Sequence, residues 1–148
     1  MLSLVKSWFE TPEQAPALAP EYAAAALLFE VIRADHSVTD TEVSEMLSLL
    51  EQTFALDAQQ MQELQLNIES LHANAVGLHE FTTVLNQHLS AEQKVQIVRA
   101  MWRVAHADQR IDPLEEHVIR RAADLLYVSH RQFISAKLAA REAFNSSS

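Results

Sequence analysis

Two short segments of this chain decide its fold. Residues 33–42 read RADHSVTDTE, and residues 106–115 read HADQRIDPLE. Both contain Ala-Asp, then an aliphatic residue three positions after the Asp and a Glu seven positions after it. Helix-like sequence flanks each segment, so we interpret them as the turns of one helical hairpin that occurs twice. The repeat predicts an all-α fold, a single-domain bundle of about seven to eight helices built from two repeated helical hairpins.

The amino-acid composition agrees with a globular, helical protein. Hydrophobic residues make up 49% of the 148 residues and charged residues 21%, which is enough apolar sequence to form a core. The chain has one Gly and four Pro, so it offers few of the tight turns that β-hairpins require. It has no Cys, which excludes a disulfide scaffold and a thiolate metal site.

No segment has the pattern of a membrane span or a targeting signal. No apolar run approaches the roughly 20 residues that cross a bilayer. Residues 1–9 contain a single cation, Lys6, and they have neither a long hydrophobic region nor a small-residue cleavage site. We therefore expect a cytoplasmic protein without a transmembrane segment.

The net charge is −9, which argues against general binding to nucleic acid. This charge is unevenly distributed: residues 1–93 contain two basic and fourteen acidic residues, whereas residues 94–148 contain nine and six. The favoured interpretation is that the two halves attract each other within one fold. The alternative is a basic face that binds an acidic protein partner. That face would contain Arg99, Arg103, Arg120 and Arg121.

The sequence divides into three parts. Residues 1–20 form an amphipathic N-terminal segment followed by a Pro-rich linker, residues 21–144 form the helical domain, and residues 145–148 form a disordered tail. Apolar side chains recur on one helical face of residues 1–9, and so short a helix must dock on something to be stable. We expect it to dock on the protein's own core, because one Lys is few for contact with a membrane surface.

The starts of the helices are marked by capping boxes, in which a polar residue is followed three positions later by Glu or Gln. Five such pairs occur: Thr39 with Glu42, Asp57 with Gln60, Ser90 with Gln93, Asp112 with Glu115, and Ser129 with Gln132. The predicted helices cover residues 23–35, 39–54, 57–72, 78–88, 90–107, 112–126 and 129–144. Aromatic residues at core spacing are Trp8, Phe29, Phe54, Phe81, Trp102, Tyr127 and Phe133.

Four acidic residues of the two turns are candidate metal ligands. By helical spacing, each turn brings one Asp and one Glu to the inward side of its helices. Two carboxylates that are close together and partly desolvated attract a cation or share a proton. Oxygen ligands suit Ca²⁺, Mg²⁺ or Mn²⁺. If the two turns meet, a divalent cation would be bound by Asp35, Glu42, Asp108 and Glu115.

The same acidic residues also have a purely structural interpretation. Glu42 and Glu115 are the third residues of capping boxes, and Asp35 and Asp108 can accept hydrogen bonds from the start of the following helix. For any single residue the structural interpretation is favoured, whereas repetition of the whole pattern makes the structural and the metal-binding interpretations about equally well supported for the set of four. The turns are not EF-hands, since the twelve-residue ligand spacing and its central Gly are missing. Both interpretations stay open at this point.

These residues also carry a resemblance to a known family. The two Asp-x-x-aliphatic-x-x-x-Glu turns, with EFTTVLNQHLSAEQ between them and RRAADLLYVSHRQF after them, resemble the TerB-like tellurite-resistance family. The similarity runs from about residue 22 to residue 140. It implies an all-helical fold and a metal site of acidic residues, carried here by the same two Asp and two Glu. The family usually has Gly after each Asp, where this sequence has His36 and Gln109.

The sequence lacks the motifs of an enzyme. It has no Gly-x-Ser-x-Gly element, and a single Gly cannot form a phosphate-binding loop. We therefore expect that the protein is not an enzyme; catalysis by the same Asp and Glu as acid and base would need a ligand-sized cleft beside the four carboxylates. Two other functions follow from the remaining signals. The first is a helical module that binds a divalent cation in a stress-response or tellurite-resistance-related pathway. The second is a metal-free protein-protein interaction domain, in which the chain binds a protein partner or associates with itself as a dimer.

Overall fold

The computed structural model describes residues 19–34, 38–67, 78–107 and 111–146. All regular structure in these ranges is α-helical, which confirms the predicted fold class and the approximate number of helices. The helices are α1 (Pro20–Arg33), α2 (Asp40–Phe54), α3 (Ala58–Leu66), α4 (Leu78–His88), α5 (Ala91–His106), α6 (Pro113–Leu125) and α7 (His130–Ser146). The amphipathic segment predicted at residues 1–9 lies outside the described residues.

Helix α1 is the centre of the bundle. Every side chain from Tyr22 to Phe29 is buried, followed by Val31 and Ile32. A helix that is apolar on all sides must be surrounded by other helices, and α1 packs against α2, α4, α5 and α6. Four of its buried residues are consecutive alanines at positions 23–26, whose small side chains let neighbouring helices approach closely.

The two hairpins pack against each other in a reciprocal way. Within each hairpin the two helices are in contact, α1 with α2 and α5 with α6. Between the hairpins, the two first helices, α1 and α5, contact each other. Each first helix also contacts the second helix of the other hairpin, so that α5 contacts α2 and α1 contacts α6. This reciprocity is expected if the two hairpins are copies of one unit. The helices that pack on the first member of each hairpin are not copies of each other: α4 packs on α1 and α7 packs on α5, but a shift of 73 residues matches α7 with α3.

Local sequence accounts for where the helices begin. All five predicted capping boxes are present, including Ser129 with Gln132, whose backbone N–H groups each donate to the other's side chain at 3.2 and 3.1 Å. Helix α1 begins at Pro20, which the sequence interpretation placed in the linker. Pro is well suited to this first position because its missing N–H is not needed there.

Two differences from the sequence prediction are found at helix ends. Helices α2 and α6 end in the left-handed conformation at Ala55 and Tyr127, with φ of 52° and 60°. The sequence prediction that Tyr127 belongs to the core is wrong, because this terminating residue is 82% exposed. Helix α3 ends at Leu66 rather than near residue 72, with Asn67 in a turn and residues 68–77 outside the described part.

Within the described ranges, no helix is both long and apolar enough to span a membrane.

Candidate functional site

Glu42 is held at the start of α2 by its own helix cap. The backbone N–H and the hydroxyl of Thr39 donate hydrogen bonds to Oε1 of Glu42 at 3.1 and 2.9 Å. In return, the N–H of Glu42 donates to Oγ1 of Thr39 at 3.2 Å. The capping box therefore turns the Glu42 side chain back toward the turn before α2, and only 1% of the residue is exposed.

Glu115 has the equivalent position at the start of α6. The N–H of Asp112 donates to Oε1 of Glu115 at 2.8 Å, and Oδ1 of Asp112 accepts from the N–H of Leu114 at 2.8 Å. Pro113 occupies the first helical position, where it needs no acceptor. Glu115 is completely buried. The capping interpretation of both Glu residues is thus confirmed by their hydrogen bonds.

The burial of these two carboxylates is unusual for a cap. Glu is almost never fully buried unless it is paired, hydrogen-bonded or bound to a metal, because desolvating its charge costs free energy. The buried polar or charged residues in the described ranges are Glu42, Glu63, Thr82 and Glu115. The two Glu of the repeat are therefore two of three buried carboxylates. A carboxylate has about four acceptor positions, so a cap role is compatible with binding a cation as well.

An ion pair relates the two acidic segments in space. Nη2 of Arg103, in the last turn of α5, lies 3.2 Å from Oε1 of Glu45, one turn after Glu42 in α2. The beginning of α2 is therefore beside the end of α5. Since α1 ends shortly before α2 begins, and α5 ends shortly before α6 begins, all four helix ends lie at the same end of the bundle.

The two Asp residues of the predicted site lie outside the described residues. Asp35 and Asp108 belong to the segments 35–37 and 108–110, between the helices of each hairpin. Among the described residues, no group of three or more His, Cys, Asp or Glu side chains is arranged to hold a metal ion. The described part of the chain thus provides two of the four predicted ligands, Glu42 and Glu115, and the four-residue site stays a prediction.

The predicted basic residues fall into two environments. Arg99 and Arg103 line a cleft between α2 and α5, together with Leu49, Gln52, Thr53, Gln96 and Ala100. Arg120 and Arg121 lie outside this cleft, on α6: Arg120 is over the ring of Phe133 in α7, at 5.0 Å from its centroid, and Arg121 is exposed. Sequence reasoning missed the glutamines and the threonine of the cleft. Their signal is visible only when the two repeats are aligned, because the matching positions in the other copy are apolar.

The sequence analysis also did not identify a third buried acidic residue, Glu63 of α3. Burial, reinforced by the negative charge of Glu63, raises the pKa of the Tyr22 phenol well above its usual range. Tyr22 is therefore neutral at physiological pH. No helical motif marks Glu63 in the sequence, where it lies in a mostly polar segment.

Comparison with known families identifies the fold. A family model described as tellurite resistance protein TerB matches residues 21–138. The chain belongs to the TerB family. The match spans both hairpins and continues into α7, so it includes both acidic segments of this TerB family member. No curated protein and no solved structure in the corresponding comparisons matches the chain.

Proposed function

We propose that this TerB family member binds a divalent cation through the acidic residues of its two turns, Asp35, Glu42, Asp108 and Glu115. The observation that carries the proposal is the burial of Glu42 and Glu115 at equivalent positions of the two repeats. A cation offsets the cost of keeping two buried carboxylates ionised in one region of the protein. The family model is described as tellurite resistance protein TerB, and we therefore propose a role in tellurite resistance or a related stress response.

The chemistry of the ligands limits the choice of ion. Carboxylate oxygens are hard ligands, which favour Ca²⁺, Mg²⁺ or Mn²⁺ over ions that prefer sulfur or imidazole. The helix caps help to orient the glutamates, since hydrogen bonds to Oε1 restrict the rotation of each side chain. The proposed role involves no catalytic step, and that the protein is not an enzyme stays a prediction.

Isothermal titration calorimetry with each of the three ions tests the proposal. The wild-type protein should bind at least one ion, and both Asp35→Asn/Asp108→Asn and Glu42→Gln/Glu115→Gln should lose binding. Gln keeps the acceptor of the capping box, so the second variant removes charge without removing the cap. The matched control is Glu51→Gln, an exposed residue of α2 that should bind as the wild type does.

Thermal denaturation gives an independent measurement. A ligand that binds only the folded state stabilises it by about 2.7 kcal/mol at a free concentration of a hundred times its Kd. The melting temperature of the wild type should therefore rise with the ion, and that of the double variants should not. An absence of heat and of a melting shift with all three ions would contradict the proposal.

A second candidate function is the binding of another protein, or of a second copy, without a metal. The excess of basic residues after position 93 and the exposed cleft between α2 and α5 favour it. Sedimentation velocity over a range of concentrations tests self-association, with a variant that lacks residues 1–19 as the comparison. Loss of a dimer with unchanged helicity would assign the contact to residues 1–19. Association that survives the deletion would exclude that segment as the contact.

A further inference from the structure

The cleft between α2 and α5 has an apolar floor and a polar rim. Its volume is about 270 Å³. Leu49 and Ala100, at its floor, are buried. Gln52, Thr53, Gln96 and Arg99, at its rim, are exposed. The cleft is therefore open to solvent, although its floor is apolar.

The other half of the protein contains the matching groove, and there a helix covers it. A shift of 73 residues relates the two copies, so the groove between α6 and α1 corresponds to the cleft between α2 and α5. Helix α4 packs against both α1 and α6, with Phe81 and Leu85 buried. Nδ2 of Asn86 in α4 also donates a hydrogen bond to the backbone carbonyl of Leu125 in α6 at 3.0 Å. This half shows that the groove geometry accepts a helix.

The side chains of the two grooves differ according to this coverage. Under α4, the positions that match Gln52, Gln96 and Arg99 are Leu125, Ala23 and Ala26. Ala23 and Ala26 are buried there, with 0% and 3% exposed. A permanently covered groove is apolar, whereas the open cleft has charged and hydrogen-bonding groups at its rim. A polar rim of this kind is typical of a surface that binds its partner reversibly.

Arg99 gives the cleft a positive charge. Within the described ranges, its guanidinium makes no ion pair or hydrogen bond with another residue. Arg103, one turn later, is paired with Glu45 at 3.2 Å and is thus partly neutralised. An exposed guanidinium beside glutamine and threonine side chains attracts a carboxylate, to which it can donate two parallel hydrogen bonds.

We propose that this cleft binds an acidic amphipathic helix of a partner protein. A carboxylate of that helix pairs with Arg99, and an apolar side chain on the same face contacts Leu49 and Ala100. The proposal rests on the second candidate function, protein binding, for which it supplies the surface and the chemistry of the partner. It does not depend on a cation at Glu42 and Glu115.

Nuclear magnetic resonance with the full-length, ¹⁵N-labelled protein tests the proposal. The probe is a synthetic amphipathic peptide of about 18 residues, long enough to form a helix, with Leu on one face and Glu on the other. It should shift the amide signals of residues 49–53 and 96–103 at low salt, and added NaCl should weaken the effect. Arg99→Gln should lower the affinity about fivefold, since one charged contact is lost.

Matched controls separate a specific cleft from general attraction. Arg121→Gln removes an exposed Arg of α6 outside the cleft and should leave the affinity unchanged. Glu42→Gln/Glu115→Gln should also bind the peptide normally, because the cation site is separate. Equal weakening by Arg99→Gln and Arg121→Gln, or equal binding of a peptide with Lys in place of Glu, would overturn the proposal.

Two further outcomes would also overturn it. Saturation of the same amides by inorganic phosphate at the same concentration would show a simple oxyanion site that needs no helix. Undisturbed cleft signals in a protein that still associates in sedimentation experiments would reject this surface and leave protein binding standing. Failure here and failure of the second candidate function are thus distinguishable.

Discussion

The two copies of the helical hairpin share a backbone arrangement and differ in what covers them. In the first copy, α1 is buried from Tyr22 to Phe29 and has helices on all sides. In the second copy, the matching helix α5 keeps Gln96 and Arg99 exposed on the side that faces α2. The difference shows that coverage by a further helix, rather than membership of the repeat, decides which positions must be apolar.

The buried acidic residues, unlike the grooves, are alike in the two copies. Glu42 and Glu115 occupy matching positions, cap matching helices and are equally buried. A structural cap alone would tolerate exposure, as the exposed capping box of Asp57 with Gln60 shows. What the two halves retain in common is therefore the buried carboxylate, and what distinguishes them is the surface between α2 and α5.

The largest effect on the free energy of unfolding is expected at one pair of matching positions, Ala26 and Arg99. Ala26→Arg places a charge where only 3% of the residue is exposed, and it should lower the free energy of unfolding by about 3–5 kcal/mol. Arg99→Ala at the matching position should change it by less than about 0.5 kcal/mol. Urea denaturation followed by circular dichroism measures both. Similar losses in the two variants would show that the grooves are not differently covered.

Removal of either buried cap should have the next largest effect. Glu42→Ala and Glu115→Ala each remove the acceptor for a backbone N–H at the helix start, which should cost about 1–2 kcal/mol. The corresponding Gln variants keep an acceptor and should lose less. Urea denaturation without divalent ions gives the comparison. A large loss in only one half would show that the two caps are not equivalent.

The second copy contains an ion pair that the first copy lacks, and this pair should make the stability of the protein depend on pH. Nζ of Lys137 in α7 lies 2.9 Å from Oε1 of Glu116, whereas the matching residue of the first copy is Val43. The hydrogen bond from Lys137 lowers the pKa of Glu116 below its ordinary 4.5. The folded state therefore favours the ionised carboxylate, which contributes stability above pH 4.5 and loses it as the pH falls through the lowered pKa.

Glu116→Gln measures this contribution. About a third of each side chain is exposed, so solvent screening limits the pair to about 0.5 kcal/mol. The variant should be less stable than the wild type by that amount at pH 7, and the difference should shrink as the pH falls below 4.5 and through the lowered pKa of Glu116. A constant difference in the free energy of unfolding across this range would contradict the assignment to the ion pair.

The left-handed helix ends should give a small effect of the opposite sign, an increase in stability. Ala55 and Tyr127 adopt positive φ, which is unfavourable for any residue with a Cβ and favourable for Gly. Ala55→Gly should therefore raise the free energy of unfolding by about 0.5–1 kcal/mol. Tyr127→Gly should gain less, because Lys94 lies 5.8 Å from the centre of the Tyr127 ring and that contact is lost. A loss of stability in Ala55→Gly would contradict this interpretation.

Much of the architecture could be predicted because it is encoded in short-range contacts. A capping box joins residues three positions apart, so Thr39 with Glu42 can be recognised before any tertiary structure is known. The apolar periodicity that follows each cap gives the length of the helix in the same way. The exposure of Tyr127 could not be predicted, because an aromatic residue near a helix end has core spacing whether or not the helix continues past it.

For the candidate cation site, the sequence could predict which side chains face inward but not which helix ends lie together. Helical spacing placed Glu42 and Glu115 on inward faces, and both are buried. That the two helix starts lie at the same end of the bundle follows from the ion pair of Arg103 with Glu45, which joins residues 58 positions apart. No local pattern predicts such a pair, since it depends on how the hairpins pack.

The sequence by itself determined the helical class, the duplication and the starts of the five helices that begin with a capping box, because these depend on periodicity and on hydrogen bonds between near neighbours in the chain. The tertiary structure alone decided which of two matching grooves is covered, why Arg99 is exposed where Ala26 is buried, and which helix ends meet. The physical reason is that burial is a property of contacts between distant segments. The same local sequence pattern is compatible with a closed groove and with an open one.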